Sequence, residues 1–214
     1  MIAATWTPPP IWSVPLQWPG SRIFVLCGGS SLREQRPLVS SLPHPIIAVK
    51  EGVHLRPDAD VAFFAGERPD LVAPNILRNY YGPTIVVRGK GHRVFPPTSK
   101  RVGRETDHRR WSDDPTTVAG YDAGTSAINL AMHFGAVEIV LLGYDMQGGR
   151  WFHNELHHFN PFPKESDFLT HLSVLPDLAK DAERKGVRII NTSPTTRAVW
   201  FEFQPLKEVL ARAA

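Results

Sequence analysis

The sequence predicts an α/β domain of the Rossmann-like kind, a doubly wound and mostly parallel sheet with helices on both faces. Three observations carry this expectation. Short continuous apolar runs recur along the chain, as in strands covered on both sides. Segments with helical spacing lie between several of them, and strands alternating with helices imply a parallel sheet. Turns rich in glycine and hydroxyl residues follow some of the runs, where open parallel sheets bind ligands.

The first run, Ile23-Phe24-Val25-Leu26-Cys27, predicts a strand over 22–27. Comparable runs stand at Ile46-Ile47-Ala48-Val49, Val61-Ala62-Phe63-Phe64-Ala65, Thr84-Ile85-Val86-Val87, Ile139-Val140-Leu141-Leu142 and Val187-Arg188-Ile189-Ile190. Ala127, Leu130, Ala131 and Phe134 repeat at i, i+3, i+4 and i+7, which predicts a helix over 126–134 that stops at Gly135. A second helix is expected over about 166–185, with Leu169, Leu172, Leu175, Leu178 and Ala179 as its stripe and Pro176 as a kink or a division.

Ahead of the first strand, residues 1–20 hold Pro8-Pro9-Pro10, Pro15 and Pro19 with Trp6, Trp12 and Trp18, so an extended arm is expected, packed on the body or offered to a partner. Residues 21–214 then form one domain, a length that buries a real core. The arm has neither a basic start nor a continuous apolar core, so it does not read as a secretory signal. No stretch approaches the roughly 20 apolar residues of a membrane span. Cys27 is the only cysteine, which excludes an internal disulfide and suits a reducing compartment. A cytoplasmic protein is expected, and a homo-oligomeric form stays open.

The net charge of +3 is local in origin. Arg88, Lys90, Arg93, Lys100, Arg101, Arg104, Arg109 and Arg110 are opposed in their stretch only by Glu105 and Asp107. The stretch 89–117 also carries Gly89, Gly91, Pro96, Pro97, Gly103 and Pro115, so it is expected to be a long basic loop or small insertion. Its cations would neutralise a pyrophosphate or a nucleic-acid backbone, or form a solvated face.

Five constellations bear on chemistry. Gly28-Gly29-Ser30-Ser31 follows the first strand, where glycines let backbone N–H groups approach a phosphate or ribose; Arg33 and Glu34 replace the third glycine of a dinucleotide fingerprint, and a plain tight turn is the alternative. Gly124, Thr125 and Ser126 open the 126–134 helix, as a cap or as an anion site. Asp145, in Gly143-Tyr144-Asp145-Met146, is placed to hold a ribose hydroxyl, a histidine or a divalent ion, or to cap a turn. His153, His157 and His158 supply candidate general bases; their spacing suits a metal only on a helix, and Asn160-Pro161 argues for a loop. Asn191 and Ser193, in Asn191-Thr192-Ser193-Pro194, add polar groups just past the last strand.

Taken in order, Val25-Leu26-Cys27-Gly28-Gly29-Ser30-Ser31-Leu32, Gly124-Thr125-Ser126-Ala127-Ile128-Asn129-Leu130-Ala131, Gly135-Ala136 and Ile139-Val140-Leu141-Leu142-Gly143-Tyr144-Asp145-Met146 resemble a broad Rossmann-like superfamily. It comprises bacterial CMP-sialic-acid-dependent sialyltransferases, motility-accessory glycosyl transferases and 6-hydroxymethylpterin diphosphokinases. The histidine-rich loop and Asn191 to Pro194 look like a branch common in phage and prophage genomes, which would place the protein in a host-cell cytoplasm. The resemblance spans about residues 22–200. It implies a nucleotide-sugar donor on Gly28, Gly29, Ser30 and Ser31 with Lys50 or Glu51 nearby, contacts from Gly124, Thr125 and Ser126, and His153, His157 or His158 as the base. The first turn has Gly29-Ser30, and the second strand ends in Val49-Lys50-Glu51, where the sialyltransferases have asparagines.

The expected function is therefore a nucleotide-dependent transferase, first of all a glycosyltransferase moving a sugar from a nucleotide sugar to an acceptor hydroxyl. Two alternatives stand beside it. One is an ATP-dependent diphosphokinase of a small alcohol, which would need Mg2+ through Asp145 or Glu67. The other is a non-catalytic nucleotide- or nucleic-acid-binding phage protein.

Overall fold

The computed structural model describes residues 10–66, 74, 76–87, 95–148, 152 and 164–212. A nine-stranded sheet runs through them: β1 (Ser21–Leu26), β2 (Ile46–Val49), β3 (Val61–Phe64), β4 (Thr84–Val87), β5 (Lys100–Arg104), β6 (Thr117–Val118), β7 (Ala136–Leu142), β8 (Arg188–Asn191) and β9 (Glu202–Phe203). Their spatial order is β6-β5-β4-β3-β2-β1-β7-β8-β9, and every adjacent pair is parallel. The chain builds outward from β1 to one edge, returns to the other side of β1 with β7, and builds outward again. The reversal lies between β1 and β7, so their carboxyl ends part to open a crevice.

Among the described residues five α-helices accompany the sheet: α1 (Leu32–Val39), α2 (Ala123–His133), α3 (Glu165–Leu172), α4 (Leu175–Arg184) and α5 (Leu206–Ala211). The apolar runs of the sequence are continuous because alternate side chains serve two cores. Ile23, Val25, Ile47, Phe63, Ile139 and Leu141 face α2 and α4. Phe24, Leu26, Ile46, Phe64, Val140 and Leu142 face α1 and α5. The fold is thus the α/β, doubly wound arrangement that the sequence predicts. No helix among the described residues is long and apolar enough to cross a membrane.

Three elements refine the expectation in instructive ways. The helix expected over 166–185 is divided, one of the two outcomes expected of Pro176, and that proline stands in the first turn of α4, where its missing N–H costs no intrahelical bond. Helix α1 carries Pro37 and buries Leu32, Gln35 and Val39, a stripe that a polar residue conceals from a hydrophobicity pattern. The basic stretch is not simply a loop, because β5 and β6 extend the sheet within it. Strand β5 escapes the apolar pattern because Lys100, Arg101 and Arg104 flank its one core residue, Val102. The described part of the proline-rich arm packs beside this strand, with Ile11 bridged to Arg101 and the Trp12 N–H donating to the Arg101 carbonyl at 2.6 Å. Trp18 then lies on Phe134, ring centroids 4.5 Å apart.

The segment between β5 and α2 is tied down by Asn129. This fully buried amide accepts from the N–H groups of Ser112 at 2.9 Å and Ala119 at 2.8 Å, and donates to the Ser112 carbonyl. One turn on, His133 Nε2 lies 2.8 Å from the Thr117 carbonyl. Burial pushes the His133 pKa below the usual imidazole value.

Two outcomes follow. Asn129→Ala strands two buried N–H groups and should cost about 2–4 kcal/mol, read as a fall in Tm of roughly 5–15 °C with the fold retained. Because the native state takes up the His133 proton less readily than the unfolded chain, the associated stability is full above about pH 6.5 and is lost as pH falls through the lowered value. His133→Gln should therefore flatten the acid limb of a plot of Tm against pH.

Candidate functional site

The crevice floor is built by hydrogen bonds that continue past the strand ends. The Cys27 N–H donates to the Leu142 carbonyl at 2.8 Å, and the Gly29 N–H to the Gly143 carbonyl at 2.8 Å. Asp145, 5% exposed, turns its carboxylate onto the β1 turn. It accepts from the Ser31 N–H at 2.9 Å, from Ser31 Oγ at 2.5 Å and from Ser30 Oγ at 3.3 Å. A Cβ on Gly29 would stand 2.5 Å from Asp145 Cγ and from the Gly143 oxygen. Gly29 is thus required by the protein's own packing, whatever ligand the turn receives.

The end of β8 joins the same floor. Ser193 Oγ lies 3.0 Å from Ser31 Oγ and accepts the Tyr144 N–H at 3.0 Å. Asn191 Nδ2 donates to the Tyr144 carbonyl at 2.9 Å, while its Oδ1 accepts the Ser193 N–H. Asn191 and Ser193 are fully buried. They hold the floor from beneath and do not form the cavity wall.

At the start of α2, Asp122 is the N-cap and accepts from the Thr125 N–H at 2.9 Å and from the Thr125 hydroxyl. Thr125 Oγ1 also lies 2.7 Å from Tyr144 Oη. Gly124 is packed against the Tyr144 ring and Cys27 Sγ, which a Cβ would meet at 2.8 and 3.0 Å. Burial, and then the nearby carboxylates of Asp122 and Asp145, push the Cys27 thiol well above its usual pKa. The Tyr144 phenol is raised by burial and by Asp122. Both side chains are consequently neutral wall material. The positive end of the α2 dipole already faces a carboxylate of its own chain.

Over this floor lies a cavity of about 640 Å³ at the β1/β7 switch point. Gly28, Gly29 and Ser30 form one wall, and Lys50, Glu51 and Gly66 continue it along the ends of β2 and β3. Tyr121, Asp122 and Gly124 close a second side, and Lys164, Asp167 and His171 of α3 and its cap close a third. Among the described residues two non-glycines have left-handed backbone, Lys50 at φ 49° and Met146 at φ 52°, and both belong to this wall. A Cβ on Gly66 would lie 3.4 Å from Lys50 Nζ, so the ammonium sits against that glycine.

At the cavity's α2 end, three rings stand together. His108 meets Tyr121 with centroids 4.2 Å apart, and His171 lies nearly parallel to Tyr121, 14° between planes and 6.2 Å between centroids. Arg104 Nη1 donates to the carbonyls of Gly120 at 2.8 Å and Tyr121 at 3.3 Å, holding this turn.

Of the residues singled out from the sequence, Gly28, Gly29, Ser30, Lys50, Glu51, Gly124 and Asp145 line one cavity. Ser31, Thr125, Ser126, Asn191 and Ser193 do not line it; all are buried and hydrogen-bonded within the protein. His153, His157, His158 and Glu67 lie outside the described residues. Of the basic stretch, Arg101 is buried, Arg104 serves the Tyr121 turn and Arg109 pairs with Asp177 at 2.8 Å, while Lys100 and Arg110 are exposed. Arg88, Lys90 and Arg93 lie outside the described residues. The wall residues that sequence reasoning passed over are Gly66, Tyr121, Asp122, Lys164, Asp167 and His171. Tyr121 and Asp122 stood directly before the glycine-hydroxyl turn, and that adjacency was their one signal. No group of three or more His, Cys, Asp or Glu among the described residues is arranged to hold a metal ion.

Compared with protein-family models, curated proteins and solved structures, the chain has no match.

Gly29→Ala should destabilise the ligand-free protein by about 1–3 kcal/mol through overpacking against Asp145 and the Gly143 carbonyl. Urea unfolding measures it; an unchanged midpoint would return Gly29 to a purely ligand-binding role.

Proposed function

We propose that the protein is a nucleotide-dependent transferase that carries a glycosyl group from a nucleotide sugar to an acceptor hydroxyl in the switch-point cavity. The observation that carries this reading is the left-handed Lys50 on the cavity wall. A non-glycine residue in that conformation costs on the order of 1–3 kcal/mol, and such strain collects where function requires a side chain in one place. Here it sets an ammonium at the carboxyl edge of a parallel sheet, where phosphates are bound. The volume supports the same reading, since cavities of about 300–1,000 Å³ take ligands of nucleotide size.

In the proposed reaction the bond between the sugar's anomeric carbon and the leaving phosphate oxygen breaks as the acceptor oxygen bonds to that carbon. The acceptor's proton passes to a general base. Negative charge gathers on the departing nucleotide, where the Lys50 ammonium and the Lys164 side chain stabilise it. Glu51, Asp122 and Asp167 offer acceptors to sugar and ribose hydroxyls. The base is a histidine, for which His153, His157 and His158 are the sequence's candidates. No metal enters these steps, although the carboxylates do not preclude Mg2+ arriving with a nucleotide.

A thermal-shift screen of nucleotides and nucleotide sugars tests the reading, because a ligand at about 100 times its dissociation constant stabilises by roughly 2.7 kcal/mol. Failure of every nucleotide to raise Tm would remove it; tight binding without sugar transfer would leave a nucleotide-binding protein. Lys50→Gly separates function from fold. Glycine accepts the left-handed backbone freely, so the variant should match or exceed the parent's stability while losing about tenfold or more in nucleotide affinity.

A further inference from the structure

We infer that Tyr121 is the stacking platform for the nucleobase of the ligand, with His171 beside it as part of the same aromatic wall. This assignment rests on the nucleotide reading above and extends it by orienting the ligand in the cavity.

The argument begins with the exposure of Tyr121. The residue is 41% exposed and lines the cavity. Aromatic rings of that size bury large areas when they can, so one left open inside a concavity marks a place for an apolar plane.

The surroundings keep this ring in position. Arg104 fixes the backbone carbonyls on both sides of the Gly120–Tyr121 peptide. His108 covers one region of the ring at 4.2 Å, and its Nδ1 accepts the Gly120 N–H at 3.3 Å, which requires that nitrogen to be unprotonated. Burial, followed by the Arg104 guanidinium, lowers the His108 pKa and favours the same neutral state. His108 is therefore an uncharged brace behind the tyrosine.

Tyr121 also meets His171, which lines the same cavity. The two rings are 14° from parallel with centroids 6.2 Å apart, within the range of an offset stacked pair. His171 is itself set edge-on against Phe168, centroids 6.4 Å apart. Tyr121 and His171 thus form one aromatic surface on the cavity wall, on which a flat heteroaromatic base stacks more fully than a pyranose, whose axial hydrogens hold it off the plane.

The charges agree with that orientation. Asp122 lies beside Tyr121 at the α2 N-terminus and offers an acceptor to base or ribose N–H and O–H groups. The phosphates then lie toward Lys50.

Calorimetric titration of the full chain with AMP, GMP, CMP, UMP and ribose 5-phosphate tests the assignment. Tyr121→Ala and Tyr121→Leu should lower affinity for the best-bound nucleotide about ten- to a hundredfold, leave ribose 5-phosphate affinity unchanged and keep Tm near the parent's. Tyr121→Phe should retain nucleotide affinity. His171→Ala should weaken nucleotide binding and His171→Phe restore it. Parent-like nucleotide binding by Tyr121→Ala would overturn the stacking assignment and leave the nucleotide reading intact. Equal losses for nucleotide and ribose 5-phosphate would also overturn it, since the ring would then be supporting the phosphate end. If none of the four nucleotides bound the parent, both the assignment and the transferase reading would fall.

Discussion

The carboxylate of Asp145, laid across the turn after β1, is the joint on which the site depends. A buried carboxylate is tolerated only when its charge is met by donors, and Ser31 and Ser30 meet it with one N–H and two hydroxyls. Three sheet elements are thereby locked to each other at their carboxyl ends, because Ser31 reaches Ser193 and Ser193 in turn takes the Tyr144 N–H. Without this joint, β1 and β7 would still pair along their length, but the two turns that diverge from them would have no fixed separation. The width of the crevice is set by that separation. Gly29 is part of the same device, since any side chain there would occupy the space the carboxylate uses.

A second consequence concerns where charge is available. Asp145 is held by the serines and Asp122 by the α2 N-terminus, so neither is a fully unpartnered anion; beside burial, both help hold Cys27 in its neutral form and Asp122 does the same for Tyr144. A positive counterpart is Lys50, delivered by a left-handed backbone that costs energy. The cavity therefore draws its charges from two halves of the fold: Lys50 and Glu51 at the end of β2, and Asp122, Lys164 and Asp167 with the aromatic rings along the α2 and α3 ends.

How much of this was legible in the sequence follows from the kind of interaction involved. The central strands could be read because burial on both faces makes them apolar without interruption. Strand β5 could not, since a strand near the end of the sheet, bridged by the arm at Arg101, needs only Val102 in the core and tolerates Lys100 and Arg104 beside it. Helix α1 hid behind Gln35, whose buried amide donates to Thr192 at 2.6 and 3.0 Å and so behaves as a core residue. At the site, the glycine-hydroxyl turns marked the correct edge of the sheet. What they did not disclose is which hydroxyls face outward: Ser30 lines the cavity while its neighbour Ser31 faces the protein, and that depends on the placement of Asp145, 114 positions away. His171 was invisible for a related reason. It sits on a helix with Phe168 and Leu172, and a sequence pattern reports such a face as core.

The basic stretch shows how a charge cluster can be redistributed by folding. In sequence it is a run of cations that suits a polyanion. In space its described members part company: Arg101 goes under the arm, Arg109 goes to α4 and Arg104 goes to the turn before α2. Arg104 pays a desolvation penalty there, visible in a pKa drawn below its usual value by burial. That cost is understandable if the Gly120–Tyr121 turn must be held still, because two carbonyls gathered by one guanidinium are fixed more firmly than two carbonyls facing water. The same arginine then keeps His108 neutral and in place behind Tyr121. A cation that looked in sequence like a contact for phosphate thus acts one step away from the cavity, and the strand that carries it, β5, becomes part of the support for the Tyr121 wall.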